Sequence, residues 1–259
     1  IRLEFRSDAV VDRVHPTMRT PDLASGFLSV LLIAIGVVGL VSGQFVAFWV
    51  PLVPAPAEAR WVIGAVSLLG GLGLLQRTTA RLAAGVLFAT LVIWVALFKA
   101  PAILAAPLVA ASWESMAETV AMAAGVLCFF KASFSVRVSR LLLGLAMCAF
   151  GIAHFAYIAQ TAALVPRWLP AHVILVDFTG AIFVISGVAL IFGLAARSFA
   201  ILVAIQMGLF TALVWLPKIF ANVRDMQALS EGLDSAALTA AAAVIAQSIH
   251  NARRPRPES

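Results

Sequence analysis

The sequence predicts an all-α polytopic membrane protein with about eight transmembrane helices, arranged as two parallel four-helix repeats. Of its 259 residues, 63% are hydrophobic and 12% are charged, whereas a soluble domain is about 45–50% apolar and about 25% charged. The apolar residues fall in stretches of roughly 18–26, the length that a helix needs to cross a ~30 Å hydrocarbon core. A third observation is that the order of glycine, proline and arginine in the first half of the chain returns in the second.

The apolar stretches define the elements in order. Helices are predicted at 24–50, 58–76, 79–99, 114–131, 140–161, 171–193, 197–216 and 233–250. The corresponding domains are a cytoplasmic N-terminal segment at 1–23, a first membrane repeat at 24–131, a cytoplasmic linker at 132–139, a second membrane repeat at 140–250 and a cytoplasmic tail at 251–259. The N-terminal segment has no apolar core of a signal peptide. The chain starts at Ile1 rather than Met, which indicates trimmed N-terminal sequence.

The charge distribution predicts the orientation. A net charge of +6 would suit nucleic acid only if the basic residues formed one exposed surface, and here they lie between apolar stretches. With the N-terminus inside, 13 of the 18 Lys and Arg residues fall on the cytoplasmic side and 5 on the other. This bias predicts cytoplasmic termini. Tryptophans at the outer helix ends agree with it, namely Trp49, Trp61, Trp113, Trp168 and Trp215.

The repeat appears when the chain is shifted along itself. An offset of 112 pairs Gly39 with Gly151, and an offset of 116 pairs Gly71 with Gly187 and Pro101 with Pro217. An offset of 120 pairs Ser115 with Ser235. Each repeat holds an even number of helices, so both enter the membrane from the same side.

The motifs of the second repeat identify a family resemblance. The fifth helix contains Arg140-x-x-x-Gly144 and Phe150-Gly151-x-x-His154-Phe155, and the sixth contains Gly180-x-x-Phe183-x-x-x-Gly187-x-x-Leu190, ending before Arg197. The first half repeats the pattern more loosely as Gly36, Gly39, Gly64, Ser67, Gly70, Gly71 and Arg81. The chain thus resembles the DoxX/DoxD-like family of bacterial membrane proteins, as a duplicated four-helix unit over about 26–250.

The resemblance implies a multi-pass protein of the bacterial inner membrane that takes part in redox work. Family members include thiosulfate:quinone oxidoreductase and terminal-oxidase subunits, and many have no assigned activity. Members often carry a glutamate in the second helix of the unit. The corresponding positions here are Ser67 and Phe183, so a role that depends on that acid is not implied.

Polar residues inside the apolar stretches are the candidate site, because a buried charge costs ~2.5 kcal/mol or more in the membrane. His154 and Asp177 are both expected ~10 Å below the outer boundary, on consecutive antiparallel helices. A carboxylate can fix an imidazole tautomer and raise its basicity, so the two are predicted as a catalytic pair that faces a shared cavity. The alternative is a structural hydrogen bond between helices.

Other residues of the outer half are candidate ligand-binding residues, namely Gln44, Trp94, Glu118, Tyr157 and Lys218. Lys99 and Lys218 are also expected to be snorkelling anchors at the outer helix ends. No metal site is predicted, since the sequence has no zinc or redox spacing of Cys and His.

These features leave three functions open. The first is a redox-associated subunit, a membrane oxidoreductase or part of one, that binds a quinone or similar lipophilic molecule in the outer half of the second repeat and works with a partner redox protein. The second is a small-solute transporter, because duplicated bundles with polar residues near the midplane are common among carriers. The third is a non-catalytic scaffold for a partner membrane enzyme. None of the three involves nucleic acid.

The charge bias predicts the outcome of reporter fusions. A fusion at Ala55 should report the outer side and one at Ser133 the cytoplasm, because 13 basic residues favour the cytoplasmic side. A phosphatase and fluorescent-protein pair measures both. Reversed signals, or both fusions on one side, would refute the orientation.

Overall fold

The computed structural model describes residues 23–252, and this range is helical without any β-strand. The predictions for the segment 1–23 and the tail 251–259 therefore lie almost entirely outside the described residues. The long helices are α1 (Leu23–Ser42), α2 (Ala59–Leu75), α3 (Ala80–Ala105), α4 (Ala110–Leu127), α5 (Ser133–Ala156), α6 (His172–Phe192), α7 (Ala196–Ala221) and α8 (Met226–Ala252). Short 3₁₀ turns occupy Ala47–Trp49 and Cys128–Phe130, and a five-residue helix occupies Ile158–Ala162.

Six of these helices, all except α2 and α4, are long and apolar enough to cross a membrane. Helix α2 has 17 residues, and Glu114 and Glu118 lower the hydropathy of α4. Many large apolar side chains point outward from the bundle, as expected for a surface that contacts lipid. The predicted all-α polytopic membrane protein is confirmed at this level.

The first helix ends earlier than predicted. Gly43 adopts a left-handed conformation (φ +65°), and its N–H donates to the Gly39 carbonyl at 2.9 Å. A left-handed glycine ends a helix in this way. Helix α1 therefore stops at Ser42, and the prediction of a helix to residue 50 is wrong.

Other boundaries also shift. Helix α5 begins at Ser133, so most of the predicted linker 132–139 is helical. Helices α3 and α7 run through Pro101 and Pro217, and each contains a π-helical turn just before the proline, at Val95–Lys99 and Thr211–Trp215. A proline removes one helical hydrogen bond and crowds the preceding turn, and a π turn is one adjustment that accommodates it in a membrane helix.

Close helix contacts are made at glycines. A Cβ atom on Gly187 in α6 would lie 2.6 Å from Cys148 Sγ and 2.7 Å from the Gly144 carbonyl oxygen in α5. A Cβ atom on Gly71 in α2 would lie 2.7 Å from the Ser29 carbonyl oxygen in α1. Small residues allow such approach in membrane bundles, where packing replaces the hydrophobic effect.

Helix α8 is the most buried of the six apolar helices and packs against α1, α4, α5 and α7. Small side chains allow the contact with α4, where a Cβ on Gly125 would lie 2.7 Å from Ala241 Cβ. Arg140 at the start of α5 donates to the carbonyl oxygens of Leu190 and Ile191. It thereby adds a side-chain donor at the end of α6, where the last carbonyls lack intrahelical partners; the Leu190 carbonyl also accepts from the Gly193 N–H at 3.2 Å.

The glycine contacts predict the effect of adding one methyl group. Gly187→Ala should lower the free energy of unfolding by about 1–3 kcal/mol, because backbone atoms of α5 occupy the required space. Gly26→Ala is the matched control, since nothing lies within 4 Å of its added Cβ, and it should leave stability unchanged or slightly raised. Thermal unfolding in detergent measures both. Equal stability of the two variants would contradict the close α5–α6 contact.

Candidate functional site

An apolar cavity of about 380 Å³ lies between α5, α6, α7 and α8. It sits at the end of the bundle that carries the connections 43–58 and 157–171, called here the outer end because the sequence predicts it to face away from the cytoplasm. Its polar lining is small and includes His154, Thr161, Thr179, Ser235 and the carboxyl groups of Glu114, Glu118, Glu231 and Asp234. A large apolar space with a few convergent polar groups is typical of a ligand pocket.

His154 is held rigidly on the wall of this cavity. Its ring stacks on Phe210 at 6.0 Å and meets the edge of Phe183 at 5.2 Å, and the residue is 7% exposed. Nδ1 lies 2.9 Å from the Phe150 carbonyl oxygen. A carbonyl only accepts, so Nδ1 donates to it and the neutral ring keeps Nε2 as an acceptor.

The structure does not bring His154 and Asp177 together. Asp177 is exposed on α6, and it is absent from the lining of the cavity, which its neighbours Val176 and Phe178 do line. In the part of the chain that the structure describes, no hydrogen bond or ion pair joins the two side chains. Asp177 therefore lies on an exposed face of α6, outside the lining of the cavity that His154 borders, and the catalytic role of the two residues stays a prediction.

A second, polar cavity of about 190 Å³ lies beside the first. Glu114, Glu118, Glu231 and Asp234 line both cavities. The first two come from α4 and the last two from α8, where spacings of four and three residues place each pair on one helix face. The four acidic residues, called here the carboxyl wall, therefore border both cavities.

Lys99 is the basic residue buried against this wall. It is 0% exposed, and Nζ donates to Ser115 Oγ at 2.6 Å and to the Ser115 carbonyl oxygen at 3.2 Å. Its charge interacts with the carboxylates of Glu118 and Asp234. The prediction of a snorkelling anchor is wrong, because Lys99 closes the π turn of α3 and lies inside the bundle.

The 3₁₀ turn Ala47–Trp49 completes the site from the first half of the chain. The Ala47 N–H donates to Ser230 Oγ at 2.8 Å, and the Phe48 carbonyl accepts from Thr119 Oγ1 at 2.9 Å. The backbone N–H of Phe48 also lies near the Asp234 carboxylate. Oδ1 of Asp234 is buried with no partner among the described residues.

Most predicted ligand-binding residues lie away from both cavities. Glu118 lines both, whereas the lining of neither includes Gln44, Trp94, Tyr157 or Lys218. Gln44 is exposed in the segment after α1. The Tyr157 hydroxyl accepts from the Ala111 N–H at 3.4 Å.

Trp94 and Lys218 serve local contacts. Trp94 is buried against Trp49 at 5.6 Å and Phe98 at 4.3 Å. The Lys218 ammonium lies 4.8 Å above the ring of Trp215, which itself lines the apolar cavity. Its charge also attracts the Glu231 carboxylate.

Sequence reasoning missed Glu231 and Asp234. The eighth helix was predicted to start at 233, which placed Glu231 in a loop, whereas α8 starts at Met226. The sequence does contain a signal that could have identified them, since two acids lie three residues apart at the start of an otherwise apolar, alanine-rich helix.

The buried cluster predicts a strong effect of removing its cation. Lys99→Met should lower the free energy of unfolding by about 3–5 kcal/mol, because the carboxylates lose a buried opposite charge. Lys131→Met, at an exposed position, is the control and should have little effect. Adding Glu118→Gln to Lys99→Met should restore part of the loss. Thermal unfolding of the unmodified protein, Lys99→Met, Glu118→Gln and the double variant measures this coupling, and additive effects would contradict it.

Comparison of the chain with protein-family models, with curated proteins and with solved structures finds no match. What the site does is therefore inferred from its own residues.

Proposed function

We propose that this integral membrane protein binds a lipophilic small molecule in the apolar cavity at its outer end. The observation that carries the proposal is the combination of about 380 Å³ of largely apolar space with His154 and a row of carboxyl groups on one side. An apolar tail would lie among phenylalanine and leucine side chains, and a polar head would face His154 and Glu118. The lipid bilayer supplies such ligands directly.

The polar groups of the cavity favour a head group with hydroxyl donors. Nε2 of the neutral His154 accepts a hydrogen bond, and a carboxyl oxygen of Glu118 accepts as well. A quinol offers two hydroxyl groups, so the reduced form of a quinone fits this acceptor pattern. The DoxX-like resemblance points to the same class of molecule and supports a redox-associated subunit with a partner redox protein. In this proposal Glu118, rather than Asp177, is the acidic residue that binds the head group together with His154.

We also propose that all eight long helices cross the membrane as two parallel four-helix repeats. The π turns Val95–Lys99 and Thr211–Trp215 lie 116 residues apart, the offset that pairs Pro101 with Pro217. The glycine contacts between α1 and α2 are matched by those between α5 and α6. These structural correspondences fall at the positions that the sequence pairs, and they support the repeat together with the sequence motifs.

The repeat accounts for why the cavity is found in the second half. At the offsets of 112 and 116, Trp49 corresponds to Thr161 and Trp94 to Phe210. The two tryptophans are 1% and 4% exposed and pack on each other, whereas Thr161 and Phe210 line the cavity. Bulky indole rings fill the space in the first repeat, and a smaller residue leaves it open in the second.

Transport of a small solute is the second candidate. Interrupted helices at corresponding positions of two repeats are typical of carrier binding sites. Helices α3 and α7 are continuous, but each contains a π turn at the corresponding position near the carboxyl wall. Uptake of solute by proteoliposomes would favour this candidate over simple binding. No contact of the described residues favours the scaffold function.

Ligand binding predicts quenching of Trp215, which lines the cavity. A decyl-substituted benzoquinone should quench tryptophan fluorescence saturably in the purified protein, and Trp215→Phe should remove most of this component. Trp113→Phe is the control, because Trp113 is exposed and bonds the Pro107 carbonyl. Unsaturable quenching, or equal loss in the two variants, would contradict binding in this cavity.

The proposed hydrogen bond between the ligand head group and His154 predicts different effects of changing His154 and Asp177. His154→Ala should weaken binding of the quinol form, measured by competition with the quenching ligand, by about tenfold through a lost hydrogen bond. Asp177→Asn should leave the affinity unchanged, because Asp177 does not line the cavity. Equal effects would refute the proposed orientation of the head.

A further inference from the structure

We propose that the polar cavity is a second binding site, and that its ligand is a small primary ammonium ion. This site does not depend on the ligand of the apolar cavity. Its lining consists of Ala47, Val50, Ala111, Ser115, Ser230 and the four carboxyl groups. The inference rests on charge, on hydrogen-bonding capacity and on the size of the space.

The charges around the cavity are unequal. Four carboxyl groups line it, and among the described residues the basic side chains that interact with them are Lys99 and Lys218. Uncompensated carboxylates are costly in a medium of low polarity. Protons neutralise such groups when no cation is near, and a cation in the cavity would take the place of those protons.

The hydrogen-bonding groups around the cavity need donors. Lys99 directs its ammonium group to both oxygens of Ser115. Asp234 is 5% exposed, lines the cavity, and its Oδ1 accepts from no group of the described chain. An ammonium ion has three N–H donors and no acceptor, which matches a wall of carboxylate oxygens.

The arrangement favours an organic cation over a metal ion. Within residues 23–252, no three His, Cys, Asp or Glu side chains are grouped closely enough to hold a metal ion. The carboxyl groups instead surround a space of about 190 Å³, which suits a small molecule. Ala47, Val50 and Ala111 supply an apolar patch for its carbon atoms.

The test titrates ethylammonium chloride into the protein in lipid nanodiscs. Isothermal titration calorimetry at constant ionic strength measures the binding. Ethylammonium should bind saturably, and sodium chloride or ethanol at the same concentration should not. Asp234→Asn and Glu118→Gln should each weaken binding by about tenfold or more, through loss of a charge-assisted hydrogen bond. Glu58→Gln, at an exposed carboxylate outside the cavity, should leave it unchanged.

A second measurement on the unmodified protein guards against variants that fail to fold. Ethylammonium should slow the reaction of Glu118 and Asp234 with a hydrophobic carbodiimide several-fold, as mapped by mass spectrometry. Absence of protection, or equal protection by sodium, would overturn the proposal. Unchanged affinity in the folded Asp234→Asn or Glu118→Gln protein would overturn it as well.

Discussion

The burial of Lys99 beside the carboxyl groups of α4 and α8 is the constraint on which the outer half of the bundle depends. An amine with no exposed surface is tolerated in an apolar medium only when its hydrogens are bonded and its charge is compensated. Ser115 provides the hydrogen bonds, and Glu118 and Asp234 provide the opposite charge. The π turn of α3 and the 3₁₀ turn Ala47–Trp49 both bring their groups to this cluster.

The carboxyl groups around Lys99 also lie between an apolar cavity and a polar one. On one side of the carboxyl wall the lining is mainly apolar, with leucine and phenylalanine the most frequent residues, and on the other it is serine, alanine, valine and carboxyl groups. Two compartments of such different polarity suit two different ligands, one lipophilic and one polar. This division follows from α4 and α8 carrying acids on faces that meet at the outer end of the bundle.

The sequence was sufficient for the class of fold and for most of the helices. Apolar length is a local property, so the helices could be found without knowing their neighbours. The helix ends were harder, because the stop at Gly43 depends on one left-handed residue and the continuation through Pro101 depends on a π turn. Neither feature changes the hydropathy pattern.

The site was only partly predictable, since it depends on which helix faces meet. His154 and Glu118 were identified because polar residues in apolar helices are costly. Position along the helix could be estimated from the sequence, whereas rotation about the helix axis could not, and Asp177 is exposed on α6 while His154 lines the cavity. Lys99 shows the same difficulty: its position near a helix end suggested contact with water, whereas the π turn directs it inward.

The shared wall has a thermodynamic consequence. Any cation or proton that enters one cavity changes the electrostatic potential in the other, because Glu118 and Asp234 border both. The free energy of this interaction is the same in either direction, so each occupant alters the affinity for the other by an equal factor. Two compartments separated by one layer of carboxyl groups thus form a reciprocally linked pair, without any movement of the helices.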